Sequence, residues 1–223
     1  MCGRFAFYSP TEAAAALFGA ADGLQAKPRY NIAPTQELVA VRVAADRGRE
    51  LALLRWGLVP FWAKDPSIGN RMINARAETV AEKPSFRNAY KQRRCLVLAD
   101  GFYEWQRKGD VKVPWFISLA SGQPFAFAGL WENWTDKETG ESLQTATIVT
   151  TAANEFMKPL HDRMPVLLEP ATGGRWLDGD MDLLADPAGI IPALRAWPVD
   201  RRVNNARNEG RDLIEPVGQT VTG

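Results

Sequence analysis

The sequence predicts a single α+β domain built on a largely antiparallel, curved or barrel-like β-sheet with peripheral helices. Three observations predict this class. Apolar runs typical of strands outnumber helical patterns, and Gly, Pro or Asp residues separate most of these runs. The 223 residues, 46% hydrophobic and 24% charged, contain no repeat and no Ser/Gly linker that would divide them. We therefore expect one domain over residues 1–223, with a loose tail from about residue 217.

The elements are predicted in chain order from their apolar patterns. A helix is expected at 11–18, where Ser9, Pro10 and Glu12 precede an alanine-rich stretch and Gly19 follows it. Strands are expected at 38–43 and 51–58, and a helix at 85–92. Alternating or β-rich runs then predict further strands, at 95–105, 113–119, 125–131, 146–150 and 165–168. A last helical region is expected around 183–184 and 191–194.

The composition argues against several classes of protein. Cys2 and Cys95 are too few for a secreted disulfide framework, and with His161 as the only histidine they do not supply a zinc site. The acidic run at 178–182 lacks the turn glycine and the bidentate glutamate of a calcium loop. No apolar run reaches the ~20 residues of a membrane helix. We expect a cytoplasmic protein that needs no metal and no other cofactor.

The chain begins Met1-Cys2-Gly3-Arg4. Removal of Met1, which a methionine aminopeptidase favours before a small residue, would leave Cys2 with a free α-amine beside its thiol. Amines of this kind have a pKa of about 8 and thiols one of about 8.5, and Arg4 would favour the thiolate. The amine can form a Schiff base with an aldehyde, and the thiol can close on that carbon as a thiazolidine. The alternative is that Cys2 is an incidental small residue.

Two aromatic residues follow Pro60 and precede a charged stretch. Phe61 and Trp62 are therefore expected in a loop or at a strand end, where exposed rings could stack on nucleobases. The alternative is that both pack in the core. Trp56, at the end of the preceding strand, is expected to be a core residue.

Asn74 and Arg76 are two residues apart, so on an extended segment both side chains face one way. An amide beside a guanidinium suits a sugar–phosphate ligand. Taken alone, the residues favour the alternative of a solvated turn with a salt bridge to Glu78.

Glu104 lies among aromatic residues on a predicted strand. Alternation places Phe102 and Glu104 on one face and Tyr103 and Trp105 on the other. A carboxylate on an apolar face tends to have a raised pKa, which suits proton transfer near neutral pH. An edge-strand glutamate pointing to water is the alternative. His161 opens a charged tripeptide between apolar segments, a composition typical of a functional loop, although a lone histidine is more often structural.

Together these stretches resemble the SOS-response-associated peptidase (SRAP) family. The resemblance covers nearly the whole chain and rests on motifs in one order: MCGRF at residue 1, YNIAPTQ at 30, WGLVPFWAKD at 56, NARAET at 74, RCLVLADGFYEW at 94, AGLWENW at 128, IVTTAAN at 148 and HDRMP at 161. It implies the SRAP fold.

The resemblance implies a protein that senses abasic sites in single-stranded DNA during the DNA damage response. Cys2 would form a thiazolidine DNA–protein crosslink with the ring-opened sugar and shield the strand from cleavage, a lyase-type chemistry. Asn74 would position the opened sugar and the amine, and Glu104 would shuttle protons. His161 would assist sugar opening, imine chemistry and adduct reversal.

The resemblance also implies the contacts with DNA. The guanidinium groups of Arg4, Arg76 and Arg163 would contact phosphates. The rings of Phe61 and Trp62 would stack near the lesion. Asn31 and Pro34 would shape the pocket around Cys2. The expected partner is single-stranded DNA containing abasic sites. We expect the protein to act as a monomer, to be nucleoid-associated when it acts, and to bind no membrane.

Two other functions stay open at this point. A terminal Cys with a Glu and a His can in principle attack an amide, which would make the chain a cysteine-type peptidase or autopeptidase. A non-catalytic single-strand binder would give salt-sensitive binding and no covalent product. The logarithm of its binding constant would fall with the logarithm of the salt concentration, with a slope of about −0.7 per phosphate contacted.

Overall fold

The computed structural model describes residues 2–21, 23–45, 48–187 and 190–223, and β-strands dominate them. The strands of six or more residues coincide with the apolar runs that predicted strands. In chain order the strands are β1 (Phe5–Phe7), β2 (Arg29–Ile32), β3 (Glu37–Val43), β4 (Arg49–Trp56), β5 (Asn74–Arg76), β6 (Arg94–Ala99), β7 (Gly101–Lys108), β8 (Val111–Leu119), β9 (Phe125–Thr135), β10 (Ser142–Ala152), β11 (Arg163–Pro165), β12 (Leu167–Leu168), β13 (Leu194–Pro198) and β14 (Val221–Thr222).

The strands form two sheets. One has the order β14-β13-β8-β7-β1-β2, and the other has the order β11-β10-β4-β3-β6-β9-β12, with β5 added beside β10. Because β9 also pairs with β10, the strands β10, β4, β3, β6 and β9 close into a five-stranded barrel. Only the β10–β4 contact in this ring is parallel. The predicted α+β class with a largely antiparallel, barrel-like sheet is confirmed.

Short helices cover the outside of the sheets. The α-helices are α1 (Thr11–Leu17), α2 (Arg87–Gln92) and α3 (Pro170–Asp178), and 3-10 turns lie at Pro66–Arg71, Asp182–Leu184, Arg201–Asn204 and Arg211–Ile214. None of the helices in the described ranges is both long enough and apolar enough to span a bilayer.

The first two helices were predicted, but α3 was not, because two of its residues are glycines that disfavour helix. Gly173 is required by packing, since a Cβ there would lie 3.0 Å from the Phe18 ring and 3.2 Å from Leu96.

Three expectations from the sequence are wrong. The run 95–105 is two strands, because the Asp100 carboxylate accepts hydrogen bonds from the backbone N–H groups of Tyr8 and Ser9 and breaks the run. The apolar stretch ending at Leu194 is not helical; Leu194 starts β13, which pairs with β8. The tail is not loose, because β14 pairs with β13 and Gly223 exchanges two 3.0 Å backbone hydrogen bonds with Leu194.

The strand β7 separates two hydrophobic clusters. Phe102 belongs to the main core, where Phe5 and Phe127 pack edge to face at a centroid distance of 5.6 Å. Tyr103 belongs to a smaller cluster with Phe116. The predicted alternation along β7 is therefore confirmed, and it places Glu104 on the same face as Phe102.

Candidate active site

Cys2 lies in the interior, where the two sheets meet. Its side chain is fully buried, and its backbone carbonyl accepts a hydrogen bond of 2.8 Å from Nδ2 of Asn74. Asn74 is the first residue of β5 and is fixed in register opposite Ile148 of β10. Its other amide atom, Oδ1, is buried and has no hydrogen-bond partner among the described residues. Asn74 thus presents a buried acceptor beside Cys2.

The arginine and glutamate that follow Asn74 do not pair with each other. Arg76 is exposed on β5, on the same face as Asn74, as predicted. Glu78 instead forms a bidentate salt bridge with Arg163, whose two terminal guanidinium nitrogens lie 2.5 and 3.0 Å from the two carboxylate oxygens. This salt bridge lowers the pKa of the Glu78 carboxyl. Arg163 also donates to the carbonyl of Thr150 at 2.9 Å. The alternative of a solvated turn with a salt bridge to Glu78 is therefore wrong, because Asn74 and Arg76 lie on a strand. Glu78 instead gives Arg163 an internal partner.

Glu104 is almost fully buried on β7, with 3% of its surface exposed. Burial raises the pKa of its carboxyl from 4.5 to about 7. The expectation of a raised pKa is confirmed, and the alternative of an edge-strand glutamate facing water is wrong. At neutral pH this carboxyl is present in both its protonated and its ionised form.

The Cys2 thiol is not activated as the sequence suggested. Burial, and secondarily the negative charge of Glu104, raises the pKa of the thiol well above its usual range. The guanidinium of Arg4 does not turn toward the sulfur. It donates to Oδ1 of Asn31 at 2.7 Å and to the carbonyl of Val203 at 2.8 Å, and it lies 5.9 Å from the centre of the Trp105 ring. The thiol therefore needs a base to react.

His161 lies in the segment between β10 and β11. Its Nδ1 accepts a hydrogen bond of 2.9 Å from the backbone N–H of Arg163, and Asp162 Oδ1 lies 2.7 Å from the same nitrogen. These two contacts compete, because the N–H needs a lone pair on Nδ1 whereas the carboxylate needs a proton there. Burial lowers the pKa of His161, and the Asp162 side chain is mostly exposed, so the neutral ring with Nδ1 as acceptor is the favoured form at neutral pH.

Glu104 and His161 line one cavity of about 440 Å³. The exposed cations Arg107 and Lys112, which face each other across the β7–β8 hairpin, line it too. The sequence interpretation missed both. The signal that could have found them is the cluster of basic residues at the tip of the hairpin that carries Glu104.

The two residues expected to shape the pocket around Cys2 differ in burial. Asn31 is fully buried, and its amide donates to the carbonyls of Asn205 and Asn208 at 3.0 and 2.8 Å. Asn31 therefore holds Arg4 and the 203–208 segment, and its expected part in shaping the pocket around Cys2 stays a prediction. Pro34 is half-buried in the turn between β2 and β3.

The two aromatic residues after β4 are on the surface. Phe61 and Trp62 are 52% and 46% exposed, so the alternative of core packing is wrong. Trp62 also lines a cavity of about 390 Å³ with Lys64. Trp56 is fully buried as expected, and its Nε1 donates to the carbonyl of Ile73 at 2.9 Å.

The site contains thiol, carboxyl, amide and imidazole groups but no cluster of metal ligands. Within the described ranges, no three or more His, Cys, Asp and Glu side chains are grouped to hold a metal ion. The arrangement can instead move protons around a buried nucleophile.

Comparison with known proteins gives the same family as the sequence motifs. The family described as SOS response associated peptidase (SRAP) matches residues 1–206. Abasic site processing protein YoqW of Bacillus subtilis (strain 168) is 43% identical, over 96% of this chain and 99% of that protein. Abasic site processing protein YedK of Escherichia coli (strain K12) is 35% identical, over 97% and 100%. Abasic site processing protein HMCES of Xenopus tropicalis is 32% identical, over 86% and 67%.

Solved structures share the fold. A protein from Bacteroides thetaiotaomicron superposes with a TM-score of 0.84 at 24% identity, covering 97% of this chain and 100% of that one. A phage-related protein from Bordetella bronchiseptica superposes with a TM-score of 0.71 at 30% identity, covering 90% and 95%.

Proposed function

We propose that this chain, which belongs to the SOS response associated peptidase (SRAP) family, processes abasic sites in single-stranded DNA through a covalent reaction of Cys2. Relatives that are 32–43% identical carry the name abasic site processing protein. The observation that carries the proposal is the 2.8 Å hydrogen bond from Asn74 to the Cys2 carbonyl, with the buried Glu104 close enough to raise the pKa of the thiol. These contacts support the proposal, because in it Cys2 is the nucleophile, Asn74 the group that fixes it and Glu104 the proton carrier.

The reaction begins when Met1 is removed and the α-amine of Cys2 becomes free. The amine adds to the aldehyde carbon of the ring-opened sugar, and loss of one water gives an imine. The Cys2 sulfur then adds to the imine carbon, and the thiol proton ends on the nitrogen. The thiazolidine ring is closed by one new C–N bond and one new C–S bond, and no oxidant or reductant is needed.

The proton transfers fall to Glu104 and His161. Because burial keeps the Cys2 thiol protonated, its addition needs a base, and the carboxylate of Glu104 can serve. The protonated form of Glu104 can in turn donate to the oxygen that leaves as water. The neutral His161 lines the same cavity and assists opening of the sugar and reversal of the adduct.

Closing the ring protects the strand. An imine alone promotes β-elimination and strand cleavage, whereas the thiazolidine no longer contains the C=N bond. The exposed Arg76 would contact a phosphate near the lesion, and the exposed rings of Phe61 and Trp62 would stack on neighbouring bases. Arg4 and Arg163, which already have internal partners, would bind phosphate at the edge of the site.

A denaturing gel with a single-stranded oligonucleotide carrying one abasic site tests the proposal. The wild-type protein should give an adduct that survives denaturation, and Cys2→Ala should give none. Cys95→Ala is the matched control and should react fully, because Cys95 is a buried residue of β6 outside the site. Asn74→Asp, which cannot donate to the Cys2 carbonyl, should slow the reaction about ten-fold or more.

Two outcomes contradict the proposal. If Cys2→Ala crosslinks at full yield, Cys2 is not the nucleophile. If the wild-type protein retains the oligonucleotide only under native conditions, it is a non-covalent single-strand binder.

A further inference from the structure

A second cavity, of about 360 Å³, lies beside the proposed active site. Its walls come from β7, β8, β14 and the segment 155–160. The side chains that matter here are Gln106, Trp115, Phe156, Pro159 and Leu160. We refer to it as the side pocket.

The side pocket adjoins the cavity of about 440 Å³ lined by Glu104 and His161, which we call the active-site cavity. Leu160 lines both. Gln106 is two residues along β7 from Glu104 and therefore lies on the same face of the strand. Its Nε2 donates to the carbonyl of Pro159 at 3.0 Å, two residues before His161. A ligand that fills the active-site cavity is thus separated from the side pocket by one leucine side chain.

The two cavities differ in charge. Arg107 and Lys112 line the active-site cavity, whereas the side pocket is lined by no lysine or arginine and by one charged residue, Glu155, which forms an ion pair with Lys158. An indole, a phenyl ring and a proline ring form much of its wall, at Trp115, Phe156 and Pro159. Flat apolar surfaces of this kind stack on nucleobases, and phosphates prefer the neighbouring cations. The separation of charge therefore fits a nucleotide with its phosphate in one cavity and its base in the other.

The side pocket also has unsatisfied hydrogen-bonding groups. Oε1 of Gln106 and Nε1 of Trp115 are buried without a hydrogen-bond partner among the described residues. One is an acceptor and the other a donor, and the Watson–Crick edge of every nucleobase offers both complementary groups. Neither atom is exposed to solvent, so a base would reach them after a rotation of the Gln106 or Trp115 side chain.

We infer that the side pocket binds the nucleobase of one nucleotide adjacent to the abasic site. This inference rests on the proposed function, because the abasic sugar must occupy the active-site cavity for its neighbour to reach the side pocket. It adds a base-binding subsite to the reaction of Cys2.

Crosslinking rates on three oligonucleotides test the inference, at protein concentrations below saturation. Each carries one reactive abasic site. One has normal nucleotides on both sides, and the others have tetrahydrofuran, a baseless and unreactive sugar, on the 5′ or the 3′ side. With the wild-type protein, one of the two substitutions should slow the reaction about five-fold or more, because stacking of that base is lost.

Variants of the side pocket decide whether that effect arises there. Phe156→Ala should slow the reaction on the normal oligonucleotide and should remove the dependence on the flanking base. Trp115→Phe keeps an aromatic ring but loses the indole N–H, and it should weaken the dependence even if Phe156→Ala does not fold. Leu53→Ala is the control: it is 41% exposed on β4 and lines neither cavity, so it should leave the dependence on the flanking base in place.

The inference is overturned if the wild-type rate is the same on all three oligonucleotides, or if the dependence is unchanged in both Phe156→Ala and Trp115→Phe. In either case the adduct still forms on the normal oligonucleotide and the proposed function stands. Absence of an adduct on that oligonucleotide contradicts the proposed function itself.

Discussion

At the scale of single residues, the burial of Glu104 has consequences for stability as well as for chemistry. The folded state raises the pKa of this carboxyl from 4.5 to about 7, so folded protein binds its proton more tightly than unfolded protein does. Between pH 4.5 and about pH 7 the folded state binds more protons than the unfolded state, so the free energy of unfolding falls as pH rises. Above about pH 7 the full destabilisation is present. The group that suits proton transfer therefore weakens the fold at neutral pH.

Replacing Glu104 with glutamine should therefore stabilise the protein at high pH. The shift from 4.5 to about 7 corresponds to on the order of 3 kcal/mol, which Glu104→Gln should recover at pH 8 but not at pH 4.5. Urea unfolding of both proteins at the two pH values measures the difference. An equal difference in the free energy of unfolding at both pH values would show that the carboxyl is not titrating as described.

The sequence predicts the surroundings of a residue when they depend on local alternation. It placed Glu104 and Phe102 on one face, because that depends only on neighbouring positions in β7. It failed for Arg4, whose partner Asn31 is 27 positions away and lies on β2. It also failed for the Cys2 thiol, because burial, which raises its pKa, is a property of the packed molecule.

At the scale of elements, the barrel depends on close contact between β6 and β9. Gly129 of β9 lies opposite Cys95 of β6, and both carbonyls accept hydrogen bonds from Nε1 of Trp176 in α3, at 3.3 and 3.1 Å. A Cβ at Gly129 would lie 2.8 Å from the Cys95 sulfur and 3.0 Å from Val97. The absence of a side chain at Gly129 thus lets the cysteine fit between the two strands.

Gly129→Ala should destabilise the protein by about 1–3 kcal/mol through overpacking. Because the sulfur is the nearest atom, the double variant with Cys95→Ala should be more stable than the sum of the two single changes predicts. Urea unfolding of the four proteins gives the coupling energy. Strict additivity would mean that the added methyl group is accommodated without touching Cys95.

Element prediction worked for long strands and failed for short ones. The strands β3, β4, β9 and β10 have seven or more residues each, and their β-rich apolar runs are long enough to recognise a strand. The strands β1, β5 and β14 have three residues or fewer, and pairing with distant strands defines them. No local pattern of that length distinguishes a strand from a turn.

At the scale of the whole molecule, the site exists only where the two sheets meet. Glu104 comes from the six-stranded sheet, which β1 joins directly after the Cys2 segment, whereas Asn74 comes from the sheet that contains the barrel. His161 enters from the segment between β10 and β11. Physical reasoning from the sequence found each of these residues singly, and only the family resemblance predicted that they act together, because residues so far apart in sequence are joined by sheet packing.

The hydrogen bond from Asn74 fixes the Cys2 carbonyl, and in the proposed reaction the state of the Cys2 nitrogen is decisive. While Met1 is attached, the Cys2 nitrogen is an amide and cannot form an imine. The thiol alone could give only a hemithioacetal, which reverts on denaturation. A covalent adduct that survives a denaturing gel therefore requires a free amine at Cys2.

Insertion of one glutamate between Met1 and Cys2 tests this requirement, because a large second residue blocks removal of the methionine. The variant should give no stable adduct, and its intact mass should show the retained methionine. The control carries a specific protease site immediately before Cys2, and cleavage that leaves Cys2 as the first residue should restore the adduct. A stable adduct at wild-type yield, formed by protein whose mass retains the blocked terminus, would exclude the thiazolidine, since that ring needs both the nitrogen and the sulfur of one cysteine.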